Sequence, residues 1–407
     1  MITVQEAHRI ISHSIAALAV EELPLDQLQG KVLAATLAAP FPLPRFTNAA
    51  MDGFALKWDD IRHASGDSPI PLQVTQKIQA GKLSSLSVAA GCCAEIMTGA
   101  PMPEGADTVV PFEESSGFGS AVVEIYKAPK QGANVRYAGE EIRVGDLLLH
   151  KGEALSPSGI AVLASFGYAS AAVQRTPRVA IVTVGDELRM PGEEVSGAEI
   201  YNCNRFMLQS ACRSLGIEPV GVHHAPDDRA SLREVLAHAL DHSDLFLTAG
   251  GISSGEYDFV QQELTALGIE KKFWNVSQKP GKPLYFGSAS NRKAVFSLPG
   301  NPVSALVCFV EYCMPALSIL QGKPLPGKFS ALLASPFPAD KKRHRFLLGT
   351  VWTEKGRLHC QISPKCESHM ITAVTGANCL IEAGPSPEIL PEGTEVTCTM
   401  LPWAVLH

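Results

Sequence analysis

The sequence predicts a multidomain protein of the α/β plus β class, with a central doubly wound α/β domain. Two apolar, β-branched runs end in glycine, Val179–Gly185 and Leu245–Gly251, as do strands that are buried on both faces of a parallel sheet. Helical patterns alternate with such runs from Arg178 to Leu320, whereas short β-type runs fill the regions before and after. A chain of 407 residues exceeds one ordinary hydrophobic core, so several domains are expected.

The first twenty residues predict an amphipathic helix. Thr3 followed by Glu6 forms a capping box, and apolar residues then recur at helical spacing as far as Leu18. A proline-rich stretch, Pro40–Phe46, predicts an extended crossing into another domain. From there to about Gly139 the pattern indicates short strands, including Leu72–Val74, Ala94–Met97, Thr108–Pro111 and Val122–Tyr126.

The central region is predicted to alternate helices with strands. The predicted helices are Arg205–Leu215, Arg229–His242, Phe259–Leu267 and Val303–Leu320. Besides the two runs that end in glycine, the predicted strands are Pro219–Val222 and Ala294–Leu298. After Pro324–Lys328, alternating short strands resume and indicate a small β-barrel or sandwich at the C-terminus.

Composition argues against two broad functional classes. The net charge is −7, and lysines and arginines are scattered apart from Lys341–Arg345, which disfavours a general nucleic-acid binder. No apolar run approaches the roughly 18 residues of a membrane span, and the N-terminus lacks the basic region of a secretory signal. The ten cysteines include no CxxC pair, so most are expected to be buried thiols in a reducing compartment. A cytoplasmic protein is therefore expected.

Three glycine-bearing motifs follow predicted strands, where a doubly wound sheet binds its ligands. The first carries Asp186 and Glu187, and the second carries Gly250 and Gly251, whose N–H groups can face an anion. The third is the Pro-Gly-Asn-Pro turn, Pro299–Pro302. Each motif alone is also consistent with a tight turn or a helix cap. Their convergence at one edge of the sheet predicts a binding site.

Two lysines three residues apart, Lys279 and Lys282, alternate with prolines and a glycine in KPGKP. Because proline fixes φ and glycine admits unusual conformations, such a corner is rigid. Most lysines are merely solvated, but ammonium groups on a rigid corner suit a phosphorylated or otherwise anionic ligand. His238 and His242 have a spacing compatible with zinc, yet they lack the glutamate of HExxH, so an exposed helix face is the favoured interpretation for them.

In combination, the motifs of this chain resemble those of the molybdopterin molybdenumtransferases, the MoeA type, whose eukaryotic counterpart is the C-terminal part of gephyrin. The resemblance covers nearly the whole chain and rests on AMDGFA, IMTGAPMPEGADTVVPFE, GEEI, VGDEL, GGISSGEYD, KPGKP, LPGNPVS and SHM. It implies an L-shaped subunit of four domains. These are an elongated N-terminal and linker domain (1–40 and 140–176), an inserted β-rich domain (41–139), an α/β domain of molybdopterin-binding type (177–326) and a C-terminal β-barrel-like domain (327–407).

The resemblance also implies a reaction, the transfer of molybdenum from molybdate into adenylyl-molybdopterin with release of AMP. The active site would lie between two subunits of a homodimer, and a molybdopterin adenylyltransferase is a candidate partner; neither nucleic acid nor a membrane is expected. The implied catalytic residues are Asp52, Glu187, Asp258, Lys279 and Lys282, and the three acids among them are also the implied Mg²⁺ ligands. The implied substrate-binding residues are Thr98, Glu141, Asp228, Gly250, Gly251, Ser253, Pro299, Gly300, Asn301, Pro302, Ser304, Arg345 and Ser368.

Four residues, at three places in the chain, depart from the pattern of that family. Glu141 stands where aspartate is common, Asn202–Cys203 replaces an Asp-Thr pair, and Leu348 falls where arginine is common, with Arg343 and Arg345 close by. The first and last departures motivate an alternative function, a non-catalytic protein that binds or carries molybdopterin or the finished cofactor. A third interpretation, a nucleotide hydrolase of the competence-damage type, is disfavoured by the AMDGFA and MTGAPMPEGAD segments.

Overall fold

The chain forms two compact units in a computed structural model that describes residues 1–252, 259–289 and 293–404. The larger unit comprises Met1–Ala35, Lys151–Ile160 and Ser170–His407, and the smaller unit comprises Thr36–His150 and Ala161–Ala169. A helix, Pro157–Ser165, contributes residues to both. The multidomain α/β plus β class predicted from the sequence is confirmed by the sheets of these units.

The larger unit begins with the helix Val4–Ser14. The side chain of Thr3 accepts a hydrogen bond from the Glu6 N–H at 3.1 Å, as the capping-box pattern predicts. The helix is shorter than predicted, because Ile15 is already extended, with φ −124° and ψ 155°. The chain then enters a three-stranded antiparallel sheet formed by Val20–Pro24, Ser170–Gln174 and Val32–Leu33.

The centre of the larger unit is a six-stranded sheet. Its strands lie in the order Gly221–Ala225, Val179–Val184, Leu245–Ala249, Ala294–Leu298, Tyr285–Ser288 and Glu270–Trp274. The first four are mutually parallel, as predicted. The last two strands were not predicted, and each of them runs antiparallel to the strand before it in this order. Only a short segment joins Tyr285–Ser288 to Ala294–Leu298, which is too short for a parallel crossover.

Helices cover both faces of this sheet. Two hydrophobic clusters, one on each face, contain alternate residues of the central strands. One face packs against Val4–Ser14, Cys203–Ser214 and the helix Pro302–Leu320. The other packs against Arg229–His242 and Val260–Ala266. This is the doubly wound arrangement, and it leaves the carboxyl edge of the parallel strands for loops.

The helix Pro302–Leu320 is long and apolar enough to cross a membrane by length and composition, with a mean hydropathy of 1.9. This corrects the expectation that no segment approaches that length. The helix is instead the core helix of the sheet, since 89% of its apolar window is buried inside the protein. Its middle, Phe309–Cys313, is π-helical, between the α-helical segments Pro302–Cys308 and Met314–Leu320. Such π segments are frequent at functional sites.

The C-terminal part of the larger unit is a closed barrel of five strands. The strands are Lys328–Leu333, His344–Glu354, Arg357–Ile362, Cys379–Ala383 and Glu395–Met400. The barrel closes because His344–Glu354 pairs with both Arg357–Ile362 and Cys379–Ala383. Of the two architectures left open by the sequence, the barrel is therefore the observed one. A short strand, Gln278–Lys279, pairs in parallel with the start of His344–Glu354.

The smaller unit is built on a five-stranded sheet with the order Thr108–Pro111, Gly53–Leu56, Cys92–Ile96, Ile70–Ile78 and Val122–Ile125. The predicted strands of this region are confirmed, and Gly53–Leu56 is an additional one. Two short antiparallel pairs accompany the sheet, Asn48–Ala49 with Val135–Arg136 and Leu37–Ala38 with Leu147–Leu149. A single-turn helix, Trp58–Ile61, follows Gly53–Leu56.

Candidate functional site

The carboxyl ends of the parallel strands open into a cleft of about 560 Å³. Loops that follow several strands supply its walls, so the three glycine-bearing motifs meet at one edge of the sheet. Among its lining residues are Glu187, Asn202, Asn204, Asp227, Gly250, Gly251, Pro299, Gly300, Asn301 and Pro302. Seven of these were singled out in the sequence as site residues; Asn202, Asn204 and Asp227 were not.

Two consecutive glycines end the strand Leu245–Ala249 at the cleft. Gly250 and Gly251 have φ of +98° and +64°, conformations that other residues adopt at a cost. A Cβ on Gly251 would also lie 2.7 Å from Cγ2 of Val260. The Gly250 N–H donates to the carbonyl of Leu298 at 3.2 Å. That amide is therefore committed within the sheet, which corrects the expectation that it is available to an anion.

Two carboxylates, Glu187 and Asp227, are the acids that line the cleft in the described part of the chain. Glu187 is exposed and Asp227 is half-buried. The N–H of Asp186 donates to Oδ2 of Asp227 at 3.2 Å, and the N–H of Asp227 donates to Oδ1 of Asp186 at 3.1 Å. This reciprocal pair of hydrogen bonds fixes the loops after two neighbouring strands against each other. It thereby holds Asp227, and Glu187 next to Asp186, at the cleft.

The side chain of Asp228 has a different task. Its Oδ1 accepts hydrogen bonds from the N–H groups of Ala230 and Ser231, at 3.1 and 3.0 Å, and so caps the helix Arg229–His242. Hydrogen bonds from Ser231 hold the pKa of this carboxyl below its usual value. The cleft is lined by its neighbour Asp227. The resemblance implied Asp228 and did not include Asp227; the sequence signal that could have found Asp227 is the Asp-Asp pair directly after a strand.

A smaller cavity of about 200 Å³ adjoins the cleft and shares Pro283, Pro299 and Asn301 with it. We call it the lysine pocket. Its charged and hydroxyl-bearing lining residues are Lys279, Lys282, Ser304, Arg343, Arg345, Glu367 and Ser368. Four cationic side chains against one carboxylate make it a site for anions.

Arg345 is the most informative of these cations, since it is only 5% exposed. Its Nε is buried and has no hydrogen-bond partner among residues 1–252, 259–289 and 293–404. Arg343, by contrast, donates to Oδ2 of Asp340 at 2.8 Å and lowers the pKa of that carboxyl to about 2. A buried guanidinium with an unsatisfied donor is costly unless an anion completes it. Arg343 is thus committed to an ion pair, whereas Nε of Arg345 has no hydrogen-bond partner in the described part of the chain.

The leucine at position 348 does not deprive the pocket of a cation. Leu348 is 4% exposed and packs in the core cluster that lies under the sheet. An arginine on this part of the strand would be buried among apolar side chains. Arg345 on the same strand lines the pocket and supplies a guanidinium there.

The turn Pro299–Pro302 separates the cleft from the lysine pocket and is held on both sides. Nδ2 of Asn204 donates to the carbonyl of Gly300 at 2.7 Å, and Nδ2 of Asn301 donates to Oγ of Ser368 at 3.3 Å. Asn202 lines the cleft as well. Its Oδ1 caps the helix Cys203–Ser214, and its Nδ2 donates to the Thr183 hydroxyl at 2.8 Å. Asparagine at 202 therefore retains the capping role of an aspartate.

Three predicted site residues belong to the smaller unit. Asp52 and Thr98 form a pair in which the Thr98 N–H and hydroxyl donate to Oδ1 of Asp52 at 2.6 and 2.7 Å. These bonds, led by the backbone one, hold the pKa of Asp52 below its usual value. Both side chains are exposed, as is that of Glu141. The pair is a preformed anionic group on the surface of this unit.

Two further predicted residues, Ser253 and Asp258, lie outside the described residues. Within residues 1–252, 259–289 and 293–404, no group of three or more histidine, cysteine or acidic side chains is arranged to hold a metal ion. His238 and His242 are exposed, and their rings stack at 4.3 Å. A metal at the cleft would accordingly be held by Glu187 and Asp227 together with groups from elsewhere.

The fold and the site together define a multidomain protein built around a molybdopterin-binding type of α/β domain. Residues 180–318 match the family model described as a probable molybdopterin binding domain. Residues 2–167 match the MoeA N-terminal region, domains I and II, and residues 330–401 match the MoeA C-terminal region, domain IV.

Whole-chain comparisons agree with these matches. Molybdopterin molybdenumtransferase 2 of Mycobacterium tuberculosis is 32% identical over 405 residues, which cover 97% of this chain and 98% of that protein. Molybdopterin molybdenumtransferase of Haemophilus influenzae is 33% identical and covers 89% of each chain. The crystal structure of the molybdopterin biosynthesis MoeA protein from Pyrococcus horikosii has a TM-score of 0.83 at 30% identity, with 98% of this chain and 99% of that chain covered. The chain belongs to the molybdopterin molybdenumtransferase family.

Proposed function

We propose that this protein transfers molybdenum from molybdate into the dithiolene of adenylyl-molybdopterin and releases AMP. The observation that carries the proposal is the buried Arg345 guanidinium, which lines a cationic pocket beside an acid-lined cleft. The pocket, at about 200 Å³, suits a tetrahedral oxyanion, and the cleft, at about 560 Å³, suits the larger organic substrate. The membership of the family supports the same activity.

In this proposal molybdate binds in the lysine pocket. Arg345 and Lys279 supply charge-assisted hydrogen bonds, and the Ser304 and Ser368 hydroxyls complete the contacts to the oxyanion. Lys282, which is exposed, attracts the anion from solvent. The wall shared with the cleft, Pro299–Pro302, brings the oxyanion next to the dithiolene of a substrate bound in the cleft.

The acids of the cleft fit a Mg²⁺ ion, which binds one or two carboxylates and takes its other ligands from water and substrate phosphates. Glu187 and Asp227 are the described residues that would hold it, and Asp258 and Asp52 remain the further ligands that the sequence suggests. When bound, the ion polarises the adenylyl phosphates and favours the departure of AMP. By holding the ion, Glu187 and Asp227 would orient the phosphates of the substrate in the cleft.

We also propose that the protein works in the cytoplasm as a homodimer, in which Asp52 and Thr98 of a second copy reach this cleft. The surface around Asp52 supports a contact face. Phe112, whose N–H donates to the Asp52 carbonyl at 3.2 Å, is 42% exposed and stacks on the equally exposed Phe118. Exposed aromatic pairs beside a functional carboxylate favour burial by a partner. In this proposal a molybdopterin adenylyltransferase docks on the protein and delivers the adenylylated substrate.

The test of the function is a measurement of AMP release by the purified protein. AMP is expected to form only when adenylyl-molybdopterin, molybdate and Mg²⁺ are all present. Release of AMP that ignores molybdate would contradict molybdenum transfer. Binding of the substrate without any release would favour the alternative, a carrier of molybdopterin, for which the exposed Glu141 in place of aspartate is the remaining sequence argument.

Asp227 and Asp228 give a paired prediction for this assay. Asp227→Asn is expected to lower the kcat of AMP release about tenfold or more, because it removes one of the two described carboxylates of the cleft. Asp228→Asn is expected to keep activity and stability, since asparagine caps a helix as well as aspartate does. Loss of activity in the Asp228 variant alone, with an unchanged unfolding temperature, would assign the cleft role to Asp228 instead.

A further inference from the structure

A buried glutamine lies directly beneath the turn that carries Lys279 and Lys282. Gln278 is fully buried. Its Nε2 donates to the carbonyl oxygens of Pro280 and Gly281 at 3.2 and 3.1 Å. One carboxamide thus holds two consecutive carbonyls of the turn between the two lysines.

The side chain of Gln278 is itself held by a tyrosine of the core helix. The Tyr312 hydroxyl donates to Oε1 of Gln278, and Tyr312 is itself fully buried. The two carbonyls fix the orientation of the carboxamide, because a flipped amide would set its oxygen against both of them, and the Tyr312 hydroxyl then completes Oε1. Tyr312 lies in the π-helical segment Phe309–Cys313.

The turn packs closely against the side chains beneath it. Gly281 has φ of +84°, and a Cβ there would lie 2.6 Å from Sγ of Cys308 and 2.8 Å from Nε2 of Gln278. Lys279 is also paired with Arg345 in a parallel ladder. The turn is therefore fixed from below by Gln278 and from the side by the strand of the barrel that carries Arg345.

We infer that Gln278 and Tyr312 are positioning residues, which shape the Lys279–Lys282 turn for an oxyanion without touching it. Carbonyl oxygens that are held by Gln278 cannot turn towards the pocket, where their partial negative charge would repel an anion. The two lysines that flank these carbonyls are then presented without the entropy cost of ordering the turn on binding. The inference rests on the proposed role of the lysine pocket in binding molybdate.

The experiment is calorimetric titration of the full-length protein with molybdate. Tyr312→Phe, which keeps the ring volume, is expected to raise the Kd about fivefold, and Gln278→Met, which keeps the side-chain length, about twentyfold. The matched control is Tyr285→Phe. Tyr285 is equally buried in the same unit, but its hydroxyl has no partner among the described residues, and it belongs to the cluster on the other face of the sheet. This control is expected to change the Kd less than twofold.

A double-mutant cycle separates positioning from a general loss of stability. If Tyr312 acts through Gln278, Tyr312→Phe adds less than a twofold change of Kd in the Gln278→Met background. The single variants are expected to raise the KM for molybdate and to keep kcat at saturating molybdate. Fully additive effects, or wild-type Kd values in both variants, would overturn the inference.

The Lys279→Ala variant tells the two proposals apart. Weaker molybdate binding in Lys279→Ala with wild-type binding in Tyr312→Phe and Gln278→Met would refute the positioning role and keep the pocket. Unchanged binding in Lys279→Ala as well would remove the lysine pocket from the proposed function, and the positioning role with it. Should Gln278→Met not fold, the Tyr312→Phe result against its Tyr285→Phe control decides the matter.

Discussion

Replacing Arg345 by methionine is expected to weaken molybdate binding about 100-fold. Arg345 is only 5% exposed and lines the lysine pocket, so a bound oxyanion would meet a largely desolvated cation. Two charge-assisted hydrogen bonds in a desolvated site contribute about 3 kcal/mol, which corresponds to about 100-fold in Kd. Titration calorimetry at fixed ionic strength measures this change directly.

The stability of the same variant provides an independent readout. Methionine fills a similar volume and removes an unsatisfied buried cation, so the unfolding temperature is expected to stay the same or rise. The matched control is Arg343→Ala. Because Arg343 is paired with Asp340, its loss is expected to change the Kd less than threefold. A larger effect at Arg343 than at Arg345 would show that the wrong arginine was assigned to the anion.

Glu187→Gln is expected to lower the kcat of AMP release about 100-fold while the protein stays folded. The carboxylate is exposed at the cleft and takes no part in the hydrophobic core. Loss of its charge weakens the hold on a divalent ion that would stabilise the departing phosphate, an effect of several kcal/mol. The Mg²⁺ concentration for half-maximal activity is expected to rise in parallel, and steady-state assays over a range of Mg²⁺ measure both quantities.

The control for this variant is Glu194→Gln, the same change at an exposed carboxylate seven residues further along the chain. Glu194 does not line the cleft, so its activity and Mg²⁺ dependence are expected to equal those of the wild type. Wild-type turnover in Glu187→Gln, or an equal loss in both variants, would contradict the assignment of Glu187 to the cleft.

Much of the fold was predictable because its elements carry local signals. The β-branched runs that end in glycine predicted the central strands, and the capping box predicted the start of the first helix. The antiparallel strands Tyr285–Ser288 and Glu270–Trp274 were missed. Three of the five residues of Glu270–Trp274 are charged, and its place at the edge of the sheet is set by pairing with Tyr285–Ser288, which periodicity does not reveal.

The site was less predictable, because its residues differ from their neighbours only in three-dimensional context. Asp227 and Asp228 are adjacent and chemically identical, and a helix cap decides which of them faces the cleft. Arg343 and Arg345 lie on the same stretch of chain, and the ion pair with Asp340 distinguishes them. A buried glutamine such as Gln278 gives no signal at all in sequence, since its partners are two backbone carbonyls and a tyrosine of a distant helix.

The central claim, that a cationic pocket beside an acid-lined cleft receives molybdate, is tested most directly by anomalous diffraction at the molybdenum edge. Crystals of the protein soaked in molybdate are expected to show one strong anomalous peak in the lysine pocket, within hydrogen-bond distance of Arg345 and Lys279. A pocket without a peak, or a peak confined to other surfaces of the protein at the same molybdate concentration, would contradict the claim.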